Sequence, residues 1–292
     1  MKNIHRGVMW MLIATLCFSI MGTCVKLGSE FISTHELVFY RSIINLLIVY
    51  LMMRLTNVNI ATQHTSLHLK RSLIGFISLI FFFYAIANLP LGTAISLNYT
   101  SPLFVGILMP WILKRHAHRK LLFAIILGFL GIFLILKPTI NNDEFFAGLV
   151  GLLSGIGAGA AYLYVAKLGQ VKEPLLRTVF YFALISSLGS GALMLREQVS
   201  AISLETIPII LILGVSATIA QLSITKAYKV GNTLGNAGLS YLTVVFSILI
   251  GMIFFREIPD YFGILGVIFI IMSGMIASIN DAKAQVNRIE SQ

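Results

Sequence analysis

Charged side chains are scarce in this sequence of 292 residues. Asp, Glu, Lys and Arg together make up 11% of it, whereas a soluble domain carries about 25%. Hydrophobic residues make up 58%, and the mean hydropathy is +0.92. So few polar residues cannot cover the surface of a water-soluble protein of this size. The composition therefore predicts an integral membrane protein with lipid around it.

Cysteines are few, and catalytic motifs are missing. The two cysteines, Cys17 and Cys24, would lie about 10 Å apart along one helix, too far for a disulfide. The sequence has no Walker loop, no His-Glu-x-x-His and no nucleophile elbow, and no Asp or Glu lies deep in an apolar run. We therefore expect no catalytic residue, no metal and no cofactor. An enzyme and an ATP-driven pump are both disfavoured.

Ten apolar segments alternate with mostly short loops, and most are long enough for a membrane-spanning helix of about 20 residues. They are 7–27, 36–53, 72–88, 92–113, 121–136, 147–166, 175–195, 206–225, 234–255 and 260–279. A β-barrel would need shorter, alternating segments. The first segment is too long for a signal-peptide core and lacks a cleavage site. The pattern predicts an all-α integral membrane protein with ten transmembrane helices.

The basic residues indicate how these helices are oriented. The formal net charge is +10, and most lysines and arginines fall in loops on the same side as the N-terminus. Cytoplasmic loops carry such an excess, so we expect both termini in the cytoplasm. Because the charge lies in loops rather than on one soluble face, we expect no nucleic-acid partner.

The two halves of the chain resemble each other. The stretch Ala85–Lys114 recurs as Ala227–Arg256, with a short turn followed by an apolar run that begins with small polar residues and a tyrosine. Five spans is an odd number, so the second half must be inverted relative to the first. We predict one membrane domain built from inverted five-helix repeats, 1–140 and 145–292. Such repeats are typical of secondary transporters, whose substrate site lies between the halves near the midplane.

Polar residues near the start of the repeated run are candidates for a central cavity. Pro102 cannot donate a hydrogen bond to the carbonyl of Asn98, which predicts a bend in the fourth span. The freed polar groups must find partners in neighbouring helices or line a wet cavity, and the sequence leaves both alternatives open. The candidate lining residues here are Asn98, Tyr99 and Ser101, with Ser240 and Tyr241 in the second copy.

Four further residues are candidates for the same cavity. Tyr84, Tyr162 and Gln221 lie within apolar runs. Arg41 lies about 7 Å into the second span, where it either snorkels to the surface or contacts another helix or an anionic part of the substrate.

Glycines and terminal lysines also recur in the apolar runs. Gly151, Gly155 and Gly159 at four-residue spacing predict a close helix contact. Lys26 and Lys167 each end the first helix of a half. We interpret both as snorkelling to the membrane surface, and their equivalence in the repeat leaves a functional role as the alternative.

The chain resembles the ten-span EamA branch of the drug/metabolite transporter superfamily. The resemblance rests on Ala85–Pro102, on Arg41 in Phe39-Tyr40-Arg41-Ser42, and on Phe255-Arg256-Glu257 followed by Gly263-Ile-Leu-Gly266 and Gly274. The first half departs from the pattern, because Lys114-Arg115 stands where a glutamate is expected. The resemblance implies a bacterial inner-membrane carrier that moves a small organic metabolite, amino-acid-like or nucleoside-like, by alternating access. S-adenosylmethionine is one candidate substrate.

Two other functions fit the same pattern. A lipid or amphiphile flippase on this scaffold would have a lateral opening and apolar walls. A structural subunit would have a dry interface between its halves. The sequence leaves open the substrate, the direction, the coupling ion, and whether the protein is a monomer or a homodimer.

Overall fold

The computed structural model describes residues 2–114, 123, 126–128, 130, 131, 134, 142–195, 199, 200, 202–230, 236, 239–258, 260–269, 271–273, 275 and 276, with side chains from residue 7 onward except at 142 and 143. All regular elements in these ranges are helices. The helices labelled here are α1 Lys2–Gly28, α2 Thr34–Leu55, α3 Thr65–Asn88, α4 Leu91–Asn98, α5 Ser101–Leu113, α6 Asn142–Gln170, α7 Leu175–Met194, α8 Thr206–Val230 and α9 Leu242–Phe254. The prediction of an all-α fold is confirmed for this part of the chain.

Seven helical segments of the described residues are long and apolar enough to cross a membrane, one of them being α4 and α5 taken together. Two shorter apolar helices, Leu242–Phe254 and Tyr261–Ser273, lie within the predicted spans 234–255 and 260–279. The predicted span 121–136 falls largely outside the described residues. The count of ten spans therefore stays a prediction.

Helix α2 begins at a capping box. The Ser33 side chain accepts a hydrogen bond from the Glu36 amide, and the Glu36 carboxylate accepts one from the Ser33 amide at 2.9 Å. The same carboxylate accepts two hydrogen bonds from Ser200, one from its amide and one from its hydroxyl. Glu36 is thus used at the helix start and does not pair with Arg41 on the same helix.

The bend predicted at Pro102 is a complete break. Helix α4 ends at Asn98 and α5 begins at Ser101, which leaves Tyr99 and Thr100 in a turn. The Tyr99 amide bonds the carbonyl of Ile95, and the Thr100 hydroxyl bonds the carbonyl of Leu97 at 2.7 Å. Local groups therefore satisfy part of the exposed backbone, as a membrane interior requires.

Helix α6 packs directly against this break. A Cβ atom at Gly155 would lie 2.7 Å from the Leu97 carbonyl oxygen, and one at Gly159 would lie 2.8 Å from the Ser101 carbonyl oxygen. Both distances are too short for a real side chain, so only glycine allows this approach. The prediction of a close helix contact is confirmed at these two positions.

The helices pack in matching pairs. Helix α1 packs against α8 and α9, α6 packs against α3 and α5, and α2 packs against α7. Lys26, in the last turn of α1, bonds the Leu89 carbonyl at the end of α3. Glu173, which follows α6, contacts His68 at the beginning of α3. Helices α1 and α6 therefore run in opposite directions.

Candidate functional site

The middle turns of α1, α2, α3, α6, α7 and α8 surround a central cavity together with the α4–α5 break. Its volume is about 60 Å³, well below the roughly 300–1,000 Å³ of a typical ligand pocket. It is lined by Phe18, Met21, Arg41, Arg71, Gly75, Ser78, Leu79, Phe82, Asn98, Tyr99, Ala158, Ala161, Tyr162, Phe182 and Gln221. The walls come from both halves of the chain, so a relative movement of the helices would change the cavity's size.

Two arginines meet at this cavity on one aromatic ring. Arg41 comes from α2 and Arg71 from α3, and both are almost fully buried, at 1% and 2% exposure. The guanidinium carbon of Arg71 lies 3.8 Å from the centroid of the Phe182 ring, and that of Arg41 lies 5.2 Å from it. Cation–π attraction of this kind contributes about 0.5–2 kcal/mol. Arg41 therefore does not snorkel to the surface, which was one of the two alternatives.

Neither guanidinium has an ion-pair partner among the described residues. The Nε and Nη1 atoms of both Arg41 and Arg71 are buried without a hydrogen-bond partner in that part of the chain. One weak contact remains, from Arg41 Nη2 to the Gln221 amide oxygen at 3.4 Å. Removing a charge from water without a partner costs several kcal/mol per ion. Charged side chains buried within membrane-spanning helices are typical of a functional site.

Neutral polar side chains complete the walls. The Gln221 amide nitrogen contacts the Thr225 hydroxyl at 3.3 Å, and the Asn98 amide donates to the Ser154 hydroxyl at 2.9 Å. Tyr162 stacks on Tyr228 with ring centroids 4.9 Å apart. These contacts fix the side chains of α4, α6 and α8 around the arginines.

The structure brings five of the nine predicted site residues together. Arg41, Asn98, Tyr99, Tyr162 and Gln221 all line the central cavity. They come from α2, the α4–α5 break, α6 and α8.

The other four predicted residues do not line the cavity in this conformation. Tyr84 is half-buried, with its ring against Phe146. Ser101 is buried at the start of α5, where α6 approaches it. Ser240 and Tyr241 are buried before α9, and Tyr241 belongs to the main hydrophobic core.

Sequence reasoning missed Arg71 and Phe182. Arg71 follows Lys70 and reads as a second cytoplasmic loop base, but α3 begins at Thr65 and carries it into the bundle. The sequence does carry a helical signal, because the cavity-lining residues of α3 recur at spacings of three and four. They are Arg71, Gly75, Ser78, Leu79 and Phe82.

Polar contacts cluster around Glu173 at one end of the bundle, and we call it the Glu173 end. The Glu173 carboxylate accepts hydrogen bonds from the Thr62 hydroxyl at 2.6 Å and from Arg177 at 2.9 Å, and it lies 3.5 Å from His68 Nε2. Lys229 donates to the Glu173 carbonyl at 2.8 Å. Partial burial alone would raise the pKa of the Glu173 carboxyl, but the bonds from Thr62 and Arg177 outweigh it and hold that pKa below its usual value.

Polar contacts also cluster around Glu257 at the opposite end, and we call it the Glu257 end. The Glu257 carboxylate lies 3.6 Å from Lys26 and accepts a hydrogen bond from the Leu91 amide at 2.7 Å. Because Leu91 is the first residue of α4, this carboxylate caps that helix. Lys26 thus has partners in both halves, whereas the sequence predicts a snorkelling side chain.

A larger cavity of about 370 Å³ lies at the Glu257 end. It is lined by Pro90, Gly92, Thr93, Ser96, Ile248, Gly251, Glu257, Ile258, Asp260, Gly263 and Val267. Its Glu257 carboxylate is already bonded to Lys26 and Leu91. The central cavity, with its uncompensated charges, is therefore the stronger candidate for a ligand site.

The chain is similar to known membrane transporters. A model of the EamA-like transporter family matches residues 5–137. The pseudopaline exporter CntI of Pseudomonas aeruginosa strain PAO1 is 30% identical, in an alignment covering 91% of this chain and 94% of the exporter. The S-adenosylmethionine uptake transporter of Rickettsia prowazekii strain Madrid E is 23% identical, with 100% and 99% covered.

A protein of known crystal structure has a similar fold. It superposes with a TM-score of 0.72, covering 96% of this chain and 99% of that one, at 14% sequence identity. At this identity the likeness concerns the fold alone.

Proposed function

Because the chain belongs to the EamA-like transporter family of the drug/metabolite transporter superfamily, we propose that it moves a small organic metabolite by alternating access between two inverted halves. Family membership makes it a small-molecule transporter and a multi-pass membrane protein, not an enzyme. The proposal adds the ten-span inverted repeat, the bacterial inner membrane with cytoplasmic termini, and the substrate class.

The packing pattern supports the inverted repeat. If α1 and α6 are equivalent, and α3 and α8 likewise, exchanging the halves turns the α1–α8 pair into the α6–α3 pair. The same exchange turns the α1–α9 contact into the α6–α5 contact, and all four contacts are present. The opposite directions of α1 and α6 agree with inversion. This symmetry is what two-fold related halves of a transporter require.

The observation that carries the proposal is a charged central cavity in a bundle whose two ends are each held by contacts between the halves. At the Glu173 end, Thr62 and His68 of the first half meet Glu173 of the second. At the Glu257 end, Lys26 of the first half meets Glu257. Breaking one set of contacts while keeping the other would open the cavity to one side of the membrane.

We propose that the five predicted residues that line the cavity contact the substrate. They are Arg41, Asn98, Tyr99, Tyr162 and Gln221. The relatives support an organic metabolite of this kind, since one is named as a pseudopaline exporter and another as an S-adenosylmethionine uptake transporter. They transport in opposite directions, so the direction for this chain is left to experiment.

Access to the cavity can be tested without knowing the substrate. Ala161 is buried and lines the cavity, so an Ala161→Cys variant with Cys17 and Cys24 replaced by Ala reports access through a membrane-impermeant thiol reagent. In right-side-out and inside-out vesicles we expect labelling from both sides. Glu173→Gln should increase labelling from the Glu173 end and decrease it from the other, and Glu257→Gln should do the reverse.

The matched control is Ala217→Cys in the same background, because Ala217 is fully buried in the hydrophobic core and should stay unlabelled. Alternating access would be contradicted if Ala161→Cys were labelled from the same single side in all three proteins: without a further change, with Glu173→Gln and with Glu257→Gln. Uptake of radiolabelled S-adenosylmethionine and amino acids into proteoliposomes then searches for the substrate. Scrambling of fluorescent phospholipids in the same vesicles would instead favour a flippase.

A further inference from the structure

We propose that Arg41 and Arg71 form, on the face of Phe182, a binding site for an oxyanion group, carboxylate or phosphate, of the transported metabolite. This inference rests on the proposed function and names the chemistry of its substrate. It concerns Arg71 and Phe182 in particular, which sequence patterns did not single out.

The two arginines reach the cavity from opposite ends of the bundle. Arg41 lies two turns into α2, which begins near the Glu257 end, and Arg71 lies two turns into α3, which begins at the Glu173 end. The Phe182 ring on α7 receives both guanidinium groups. Stacking on one ring holds two like charges near each other against their repulsion, as an oxyanion with two acceptor oxygens requires.

The hydrogen-bonding groups of both side chains are available for a ligand. An arginine carries five N–H donors in a fixed fork and stays charged in proteins. Nε and Nη1 of each arginine are buried and bond no described residue. Planar forks of this kind bind carboxylate and phosphate oxygens with two parallel hydrogen bonds.

Unlike the two cavity arginines, three other basic residues of this chain have polar or charged partners. Arg177 pairs with Glu173, and Lys26 lies beside Glu257. Lys229 donates to two carbonyl oxygens and to the Thr178 hydroxyl. The fold therefore supplies partners to basic side chains at its two ends. Only at the cavity does it bury two guanidinium groups with none of the described carboxylates beside them.

The rest of the cavity supports an anion and not a cation. Its described lining residues include no Asp or Glu. Asn98 and Gln221 supply amides, and Tyr162 supplies a hydroxyl. A bound carboxylate would offset one of the two arginine charges and a doubly charged phosphate both, while these neutral groups would contact the uncharged parts of the metabolite.

Binding can be tested on purified protein in a neutral, lipid-free detergent by thermal unfolding with increasing inorganic phosphate or succinate, against sodium chloride of equal ionic strength. We expect a saturable rise in the unfolding temperature with either anion and none with succinamide, the neutral analogue. Arg71→Gln and Arg41→Gln should weaken the apparent affinity about 10- to 100-fold, as expected for lost charge-assisted hydrogen bonds. Lys70→Gln, which removes an exposed charge next to Arg71, should behave like the wild type.

The ligand-free proteins give a second readout. A binding site with unbalanced charges is less stable than it could be, so Arg71→Gln without anion should unfold at the same or a higher temperature than the wild type. Arg71→Lys should keep the charge, lose the fork and show intermediate affinity. A lower unfolding temperature for Arg71→Gln, with anion stabilisation unchanged, would assign Arg71 a purely structural role and overturn the proposal.

Two further measurements distinguish a metabolite site from a lipid-headgroup site, and this inference from the transport proposal. In nanodiscs, stabilisation by phosphatidylglycerol over phosphatidylcholine, with no response to soluble anions, would identify a lipid headgroup and overturn the metabolite site. Labelling of Ala161→Cys is measured independently of anions. Alternating labelling without anion binding would refute this inference and leave the transport proposal standing. Anion binding without alternating labelling would support the oxyanion site and contradict the transport proposal.

Discussion

Gln221 is the only described side chain that hydrogen-bonds a cavity arginine, and its contact with Arg41 is long at 3.4 Å. An amide oxygen carries only a partial negative charge, so this contact leaves the guanidinium largely uncompensated. A full carboxylate at the same position would act as a built-in anion.

We expect Gln221→Glu to stabilise the ligand-free protein by about 1–2 kcal/mol, because it adds a charged hydrogen bond to a buried arginine. The same change should abolish stabilisation by succinate and phosphate, since the new carboxylate occupies the site. Thermal unfolding with and without each anion measures both effects. Gln221→Met, which is similar in size and neutral, is the control, and a destabilised Gln221→Glu protein that still binds succinate would contradict the prediction.

Single residues also mark where sequence reasoning succeeded and where it stopped. Arg41 is visible as a charge inside an apolar run, and the structure resolves its two alternatives in favour of burial. Arg71 is not visible in this way, because it stands beside Lys70 in a polar stretch. Its burial depends on where α3 begins and on Phe182, a residue more than a hundred positions away, and the helical spacing along α3 does not identify that partner.

Among the elements, the packing of the broken helix α4–α5 depends on the glycines of α6, Gly155 and Gly159. Gly155 faces backbone oxygens that cannot rotate away, unlike a side chain. We expect Gly155→Ala to destabilise the protein by about 1–3 kcal/mol, the usual effect of overpacking. The measurement is thermal unfolding of the purified protein.

Gly191→Ala in α7 is the matched control. A Cβ atom there would lie 3.3 Å from the edge of the Phe39 ring, which can shift by a few tenths of an ångström. Alanine also favours helix over glycine by about 1 kcal/mol, so this change should be nearly neutral. Equal effects of the two substitutions would show that α6 does not need its close contact with the break.

Two features of the elements followed from chemistry that the sequence displays. Pro102 indicated the interruption of the fourth span, and the Gly151–Gly159 spacing indicated the close contact. What the sequence could not supply is the partner of each feature, because Gly155 and Gly159 each lie 58 residues from the carbonyl that they approach. Tyr241 shows the same limit, since its match to Tyr99 in the repeat did not bring it to the cavity.

For the whole molecule, the Glu173 end should respond to acid. The lowered pKa of the Glu173 carboxyl means that its contacts stabilise this end above the usual glutamate value of 4.5 and are lost as the pH falls through the lower folded value. His68, Arg177 and Lys229 face the same group and remain or become positively charged on acidification. Protonation of Glu173 would therefore leave mutually repelling charges at this end.

We expect labelling of Ala161→Cys from the Glu173 end to be constant from pH 7 to about pH 5 and to rise below 4.5. Measured with a reagent of pH-independent reactivity, Glu173→Gln should show high labelling at every pH, while Glu257→Gln should keep the pH dependence. A pH response that survives in Glu173→Gln would assign it to another group.

The buried arginines also bear on the energetics of a full transport cycle. An unloaded carrier would have to pass through its closed form with two unneutralised positive charges, whereas a carrier holding an anion would not. Exchange of one solute for another should therefore be faster than one-way release. In proteoliposomes we expect unlabelled substrate outside to accelerate efflux of labelled substrate several-fold. Arg71→Gln should reduce that acceleration, because the variant carries one buried charge fewer and its return step depends less on a bound anion.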